Sequence, residues 1–278
     1  MGTTALGTIQ VGVSPVRNQD MARGMGRNLL EVLGVANLQQ AMDALRARCN
    51  GTGTPNFAGL EVGDYLDGVN LGGVVAPNGG AAPAGSHRII IAGFNFYKNA
   101  GDTSNNRNHI VFVFGGAIAT GRMNPTNINE GGYAASEIRQ WLEGAAGDGS
   151  GPLAVGLANA IGPLYTIRKR ETDRESARWD SFTLWLPNEI EVYGKTVWGT
   201  DINHERADRF IMPVMALPIY QKSMEYVRKS RNGSRTSWWL SSPHADDSTG
   251  FCAVSSLGFA GRNTASHIYG LSPAFCVA

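Results

Sequence analysis

The residue types best suited to chemistry gather in one stretch near the end of the chain. Between Pro243 and Leu271 lie His244, Asp246, Asp247, Ser255, Phe259, Arg262, Asn263, Thr264, His267 and Tyr269. Catalysis needs a few groups at fixed mutual distances, each locked by supporting contacts. The spacing here supplies no such set. Serines are frequent near His244 and His267, but no acid is placed to complete a triad and no G-x-S-x-G elbow is present. The mixture suits recognition better. Aromatic rings give large contact area at low entropic cost, and small polar groups adapt their hydrogen bonds. Composition alone fits an ordinary hydrophilic loop equally well.

Other motifs fall away on inspection. His204-Glu205 lacks the second histidine of a zinc-protease helix, and the five histidines are scattered. The glycine pairs at Gly24/Gly26 and Gly149/Gly151 follow no strand in the manner of a phosphate-binding turn. Asp246 and Asp247 are adjacent, so on a strand they would point to opposite faces; an exposed loop is the plainer reading. No catalytic residue, metal site or cofactor is expected. Two charged runs read as solvated loops. Acids interleave with bases from Arg168 to Arg178, and Glu225 interrupts the basic stretch Lys222 to Arg235.

Composition narrows the class. With 278 residues, 42% apolar and 17% charged, the chain can bury an ample core. A formal charge of +1 argues against nucleic acid or an anionic membrane as main partner. The 36 glycines follow no G-X-Y period, and point to turns and long ordered loops. Cys49, Cys252 and Cys276 form no disulfide framework; Cys252 and Cys276 each follow Phe in an apolar block and read as buried thiols. No secretory signal or membrane span is visible, so a role outside the cell would require another exit route, such as lysis.

The elements that must position the polar stretch follow from periodicity. Residues 1–56 read as an attachment or oligomerisation region: a short strand or arm at Gly7 to Val13, then helices with apolar residues at Leu29-Leu30, Val32-Leu33, Leu38, Met42 and Leu45. Asn37 is the expected cap of the second helix, Asn50-Gly51 its stop, and Gly51 to Pro55 a linker. From Phe57 the pattern is β-rich. Strands are expected at Arg88 to Phe94 and His109 to Phe114, joined as a hairpin, and at Tyr165 to Ile167 and Phe182 to Leu186. Helices are expected from Ala134 to Leu142, over Leu153 to Ile161, and from Pro187 through Tyr193, with residues 194–235 rich in loops. The class is α+β: two helices packed on antiparallel sheets, carrying extensive ordered loops.

Several blocks resemble one known group. The ending Trp238-Trp239-x-x-Ser242-Pro243, Phe251-Cys252-x-Val254, Ala265-Ser266-x-x-x-Gly270-x-x-Pro273-Ala274-Phe275 is similar to bacterial and phage proteins of the C-type lectin fold. Gly63-Asp64-Tyr65-Leu66-Asp67, Arg122-Met123-Asn124-Pro125 and Leu186-Pro187-x-Glu189 fit the same group, which covers residues 57–278. The group includes phage tail receptor-binding proteins and the variable proteins of diversity-generating retroelements. The resemblance implies a rigid scaffold with changeable side chains on its C-terminal face. His244, Asp246, Asp247, Ser255, Ser256, Thr264, His267 and Tyr269 are of the types that such diversification yields; Phe259 and Arg262 fall outside that codon set. Leu186-Pro187-Asn188 lacks the Glu or Gln of calcium-dependent sugar-binding lectins.

The expectation is therefore a ligand-binding, non-enzymatic protein carried on a virion tail or surface. Its partners would be a host-surface protein or glycan receptor and tail or capsid subunits, with homo-oligomerisation left open. The alternatives are a structural virion protein and, through the shared fold, an oxidase related to the formylglycine-generating enzymes.

Overall fold

Local chemistry sets where the first elements begin and end. The computed structural model describes residues 26–100, 105–174, 176–200 and 215–278; the expected arm at Gly7 to Val13 lies outside them. Asn28 and Asn37 accept backbone N–H groups at the starts of helices α1 (Leu29–Leu33) and α2 (Leu38–Cys49). Asn50 ends α2 in the left-handed conformation, as expected for a short polar side chain. Leu29, Ala41, Met42, Leu45 and Cys49 are fully buried in the main core. The core thus runs across the change of element type near residue 56.

Two five-stranded sheets hold the rest. The first has the order β1 (Tyr65–Asn70), β2 (Ser86–Phe94), β3 (Ile110–Phe114), β14 (Ala274–Val277), β7 (Leu184–Trp185). The second runs β12 (Ala260–Thr264), β11 (Gly250–Val254), β10 (Trp238–Pro243), β13 (Tyr269–Leu271), β4 (Ala119–Gly121). β2 and β3 pair antiparallel, as a hairpin requires. β10 and β13 run parallel, so the second sheet is mixed, not antiparallel throughout. The C-terminal segment therefore supplies most of one sheet and an inner strand of the other. Phe275 on β14 stacks on Phe112 with ring centroids 5.5 Å apart.

Beyond the helices expected from periodicity, short helical turns appear among the loops. One continuous helix from Ala134 gives way to a 3₁₀ turn (Tyr133–Ala135) and α3 (Glu137–Glu143), because Ser136 turns extended to cap Arg139 N–H. α4 (Pro152–Ile161) and α5 (Glu189–Tyr193) fall where periodicity puts them, the latter opened by an Asn188/Glu191 capping box. α6 (Pro218–Lys222), α7 (Met224–Val227) and the hairpin β8 (Lys229–Arg231)–β9 (Ser234–Thr236) lie within the stretch expected to be rich in loops. No helix among the described residues is long and apolar enough to cross a membrane.

The main correction concerns charge. The run from Arg168 is no solvated loop; it forms the hairpin β5 (Ile167–Thr172)–β6 (Ala177–Phe182), with Lys169, Arg170 and Glu171 buried. Interleaved signs, which looked like solubility, are internal pairing. Lys169 Nζ lies 2.6 Å from Glu171 and 2.8 Å from Glu191. Burial disfavours its charge, but the two carboxylates outweigh that and push its pKa up. Lys229 is the opposite case. It is equally buried, donates to Phe114 O at 2.8 Å, and burial alone lowers its pKa to about 7.

Two variants separate these lysines. Lys169→Met strands two carboxylates and lowers stability by about 3–5 kcal/mol in denaturant titration. For Lys229 the unfolded chain binds more protons than the folded one between about pH 7 and the ordinary lysine value of 10.5. Wild-type stability therefore gains from this residue as pH rises through that window. The Lys229→Met variant lacks that gain.

Candidate binding face

Alternation along β10 sends its two tryptophans to opposite sides of the second sheet. Both are fully buried. Trp238 Nε1 donates to Val227 O at 2.9 Å, and Trp239 Nε1 to Gly121 O at 3.0 Å. Phe251 and Cys252 on β11 are equally buried, and burial pushes the Cys252 and Cys276 thiols well up, which keeps them protonated. These residues form the frame. The polar residues hang from its rim.

The ten residues singled out in the sequence do not form one cluster. Ser255 and Phe259 sit at the β11–β12 turn, where Ser255 Oγ accepts Phe259 N–H at 3.1 Å. Phe259 is 63% exposed beside exposed Leu257 and Met224. Gly258 makes this turn with φ +90°, where an added Cβ would meet Met224 Cε at 2.9 Å. The other end of β11–β12 is about 17 Å away, given five residues per strand. There His244, Asp247, Gly250, Arg262, Asn263 and Thr264 line a concavity of about 350 Å³.

An aromatic ring stands behind two of these residues. Trp198, 41% exposed, stacks on His244 with centroids 6.0 Å apart, and the Arg262 guanidinium lies 5.3 Å from the Trp198 ring. Arg262 also reaches Asp247 at 3.4 Å. His244 itself is buried: Asp246 N–H donates to its Nδ1, and burial, then Arg262, lowers its pKa. Asp247 works on the loop. Its Oδ1 accepts Thr249 N–H at 2.8 Å and the Thr249 hydroxyl at 2.6 Å, bonds that hold its pKa down. Asp246 is exposed.

His267 and Tyr269 form a third group. Their rings meet edge to face at 4.5 Å, Tyr269 leans on Trp239 at 4.8 Å, and Asn263 Nδ2 donates to the Tyr269 hydroxyl at 2.9 Å. Asn263 and Arg262 are neighbours on β12, so this group and the Trp198 ring lie on opposite faces of the sheet.

Three residues that no sequence signal marked as part of the site hold it in place. Asn129, buried, directs its amide at His244 O (3.3 Å), Asp247 O (2.8 Å) and Gly250 O (2.8 Å). With two hydrogens to give, it serves the two shorter contacts best. Glu189 is fully buried; its carboxylate gathers the N–H groups of Val197, Trp198 and Gly199 at 2.9, 3.0 and 2.8 Å. Gly199 permits this approach, since a Cβ there would meet Ser242 Cβ at 2.9 Å. Glu189 thereby fixes the strip carrying Trp198, whose carbonyl accepts Ala245 N–H at 2.9 Å. A larger concavity of about 550 Å³, lined by Ile128, Asn129, Glu130 and Ser248 among others, also borders the 244–250 loop.

Among the described residues, no group of three or more His, Cys, Asp or Glu side chains is placed to hold a metal ion. Comparison with protein-family models, curated proteins and solved structures returns no match.

The clamp is testable. Asn129→Ala takes away the side-chain donor to Asp247 O and one of the two donors to Gly250 O, and lowers stability by about 1–3 kcal/mol in denaturant titration. In the same variant, hydrogen exchange at His244, whose N–H donates to Gly250 O, accelerates more than at the β3 and β14 ladder amides.

Proposed function

We propose that this protein is a recognition module of the C-type lectin fold, carried on a phage or prophage tail, that binds a host-surface receptor through the Trp198–Arg262 end of its second sheet. The observation behind this reading is the split between a fully buried frame (Trp238, Trp239, Phe251, Cys252) and a polar rim held rigid from beneath by Asn129 and Glu189. A half-exposed tryptophan beside a half-exposed guanidinium offers apolar area and charge at one place, the mixture found at binding hot spots. Diversification of the rim fits this construction, because Thr264, His267 and Arg262 project from strands and turns whose pairing is made by main chain.

The polar residues play unequal parts in this reading. Arg262 and Thr264 present side chains to a ligand at the Trp198 end, while His267 lies with Tyr269 on the opposite face. His244 and Asp247 shape the loop. Ser255 and Phe259 belong to a separate surface at the turn. That turn favours a second reading, a contact with another virion subunit, since Phe259, Leu257 and Met224 expose large apolar groups together.

The double variant Trp198→Ala/Arg262→Ala is expected to lower adsorption to susceptible host cells by roughly tenfold to a hundredfold, with the Tm nearly unchanged. Undiminished adsorption, together with loss of virion assembly in Phe259→Ser, would instead support the structural reading.

A further inference from the structure

The two sheets end in four edge strands, and three are closed. At β1, Tyr65 N–H donates to Arg27 O at 2.9 Å and Asn28 bridges to Tyr65, and a register shift between Leu66 and Val69 breaks the remainder of the edge. At β4, Thr120 and Ala81 exchange both backbone bonds, at 3.1 and 3.2 Å. β7 is two residues long, and its Leu184 N–H is taken by the Glu143 carboxylate at 3.1 Å. β12 differs: among the described residues nothing pairs with its outer side.

The register shows which groups β12 offers. Ser255 N–H donates to Phe259 O at 2.8 Å, and Ala265 N–H to Thr249 O at 2.8 Å. Hydrogen-bonded pairs alternate along an antiparallel ladder. Between those two points the bonded pairs are Ala253–Gly261 and Phe251–Asn263, and Ala260, Arg262 and Thr264 turn their N–H and C=O outward. Thr264 is satisfied locally, its N–H by Asn263 Oδ1 at 2.9 Å and its carbonyl by His267 N–H at 2.9 Å. Ala260 and Arg262 keep their outward groups. The strand has no proline and no register shift, two usual protections of an edge.

We propose that β12 is a docking edge for an extended segment of a protein partner, which adds to the sheet as a sixth strand and sets a carboxylate opposite Arg262. This rests on the recognition reading above and narrows it to a polypeptide ligand. Charge selects the occupant. Arg262 is 47% exposed, and its contact with Asp247 Oδ2 is long at 3.4 Å. An acid across the strand completes the pair. A second copy of this chain paired about Arg262 would place two guanidiniums face to face, which is unfavourable.

Fluorescence anisotropy with the full chain tests this, using a labelled heptapeptide of alternating threonine and valine with a central aspartate, and its central-lysine counterpart. The aspartate peptide is expected to bind roughly tenfold tighter than the lysine peptide, with Arg262→Glu inverting the order. Ala260→Pro removes an outward N–H while leaving the inner ladder bonds, and is expected to weaken both peptides. Should that variant fold poorly, wild-type hydrogen exchange decides: the aspartate peptide slows exchange at Ala260 and Arg262 and leaves Gly261, already bonded inward, unchanged. Equal affinity for both peptides, or no slowing at those two amides, overturns strand docking, as does doubling of the mass on sedimentation through β12 self-pairing. Binding of oligosaccharides through Trp198 without peptide binding also overturns it and leaves the recognition reading standing. Undiminished host adsorption by Trp198→Ala/Arg262→Ala removes the recognition reading itself.

Discussion

A buried ammonium holds the parts of this fold in register. Lys169 on β5 meets Glu171 on its own strand and Glu191 on α5. Glu171 receives the hydroxyl of Ser241 on β10 at 3.2 Å, and Glu191 that of Tyr97, beyond β2, at 2.6 Å. The Phe182 and Trp185 rings lie 5.4 Å from the same ammonium. One charge therefore links the β5–β6 hairpin, α5 and both sheets. Burial pushes the Glu171 pKa up, against the pull of the Lys169 ammonium, and the neighbouring Glu191 adds to the rise. Buried ion pairs of this kind contribute little net stability, but a misplaced element would leave one charge unpaired. They select one arrangement over its competitors.

The binding face inherits that precision through α5. Glu191 anchors the helix from below while Glu189, two residues earlier, gathers the backbone of Val197 to Gly199 above it. Asn129 does the same for the 244–250 loop from the far side. Both are buried polar side chains spent on main-chain groups, so the loops they hold depend little on the identity of the exposed side chains. A rim organised in this way can change its chemistry without losing its shape.

Much of this was legible in the sequence where one residue decides one local structure. Asn37 and Asn188 mark helix starts by their own side-chain bonds, Asn50 marks a helix end by its left-handed backbone, and the apolar runs at β2 and β3 mark buried strands. The buried frame around Trp238, Trp239, Phe251 and Phe275 was also plain. Long-range pairing was not. Lys169 and Arg170 look soluble until the partners of Lys169 and their burial are known, and Lys229 gives no sign of being buried. The arrangement of the candidate residues was hidden for the same reason. Their separation onto two faces and a distant turn follows from strand register. Asn129, more than a hundred positions from the loop it clamps, carries no local signal.

The central claim is that frame and rim are independent, and one measurement addresses it directly. Arg262, Thr264, Ser266 and His267 can be exchanged together for a random mixture of polar residues, and the Tm of the resulting variants compared with that of single replacements of Trp238, Trp239 or Phe275 by Ala. The account predicts rim variants within a few degrees of the wild type, and frame variants lower by about 3–5 kcal/mol in stability. Cooperative unfolding of the rim variants, with the frame variants little affected, would contradict it.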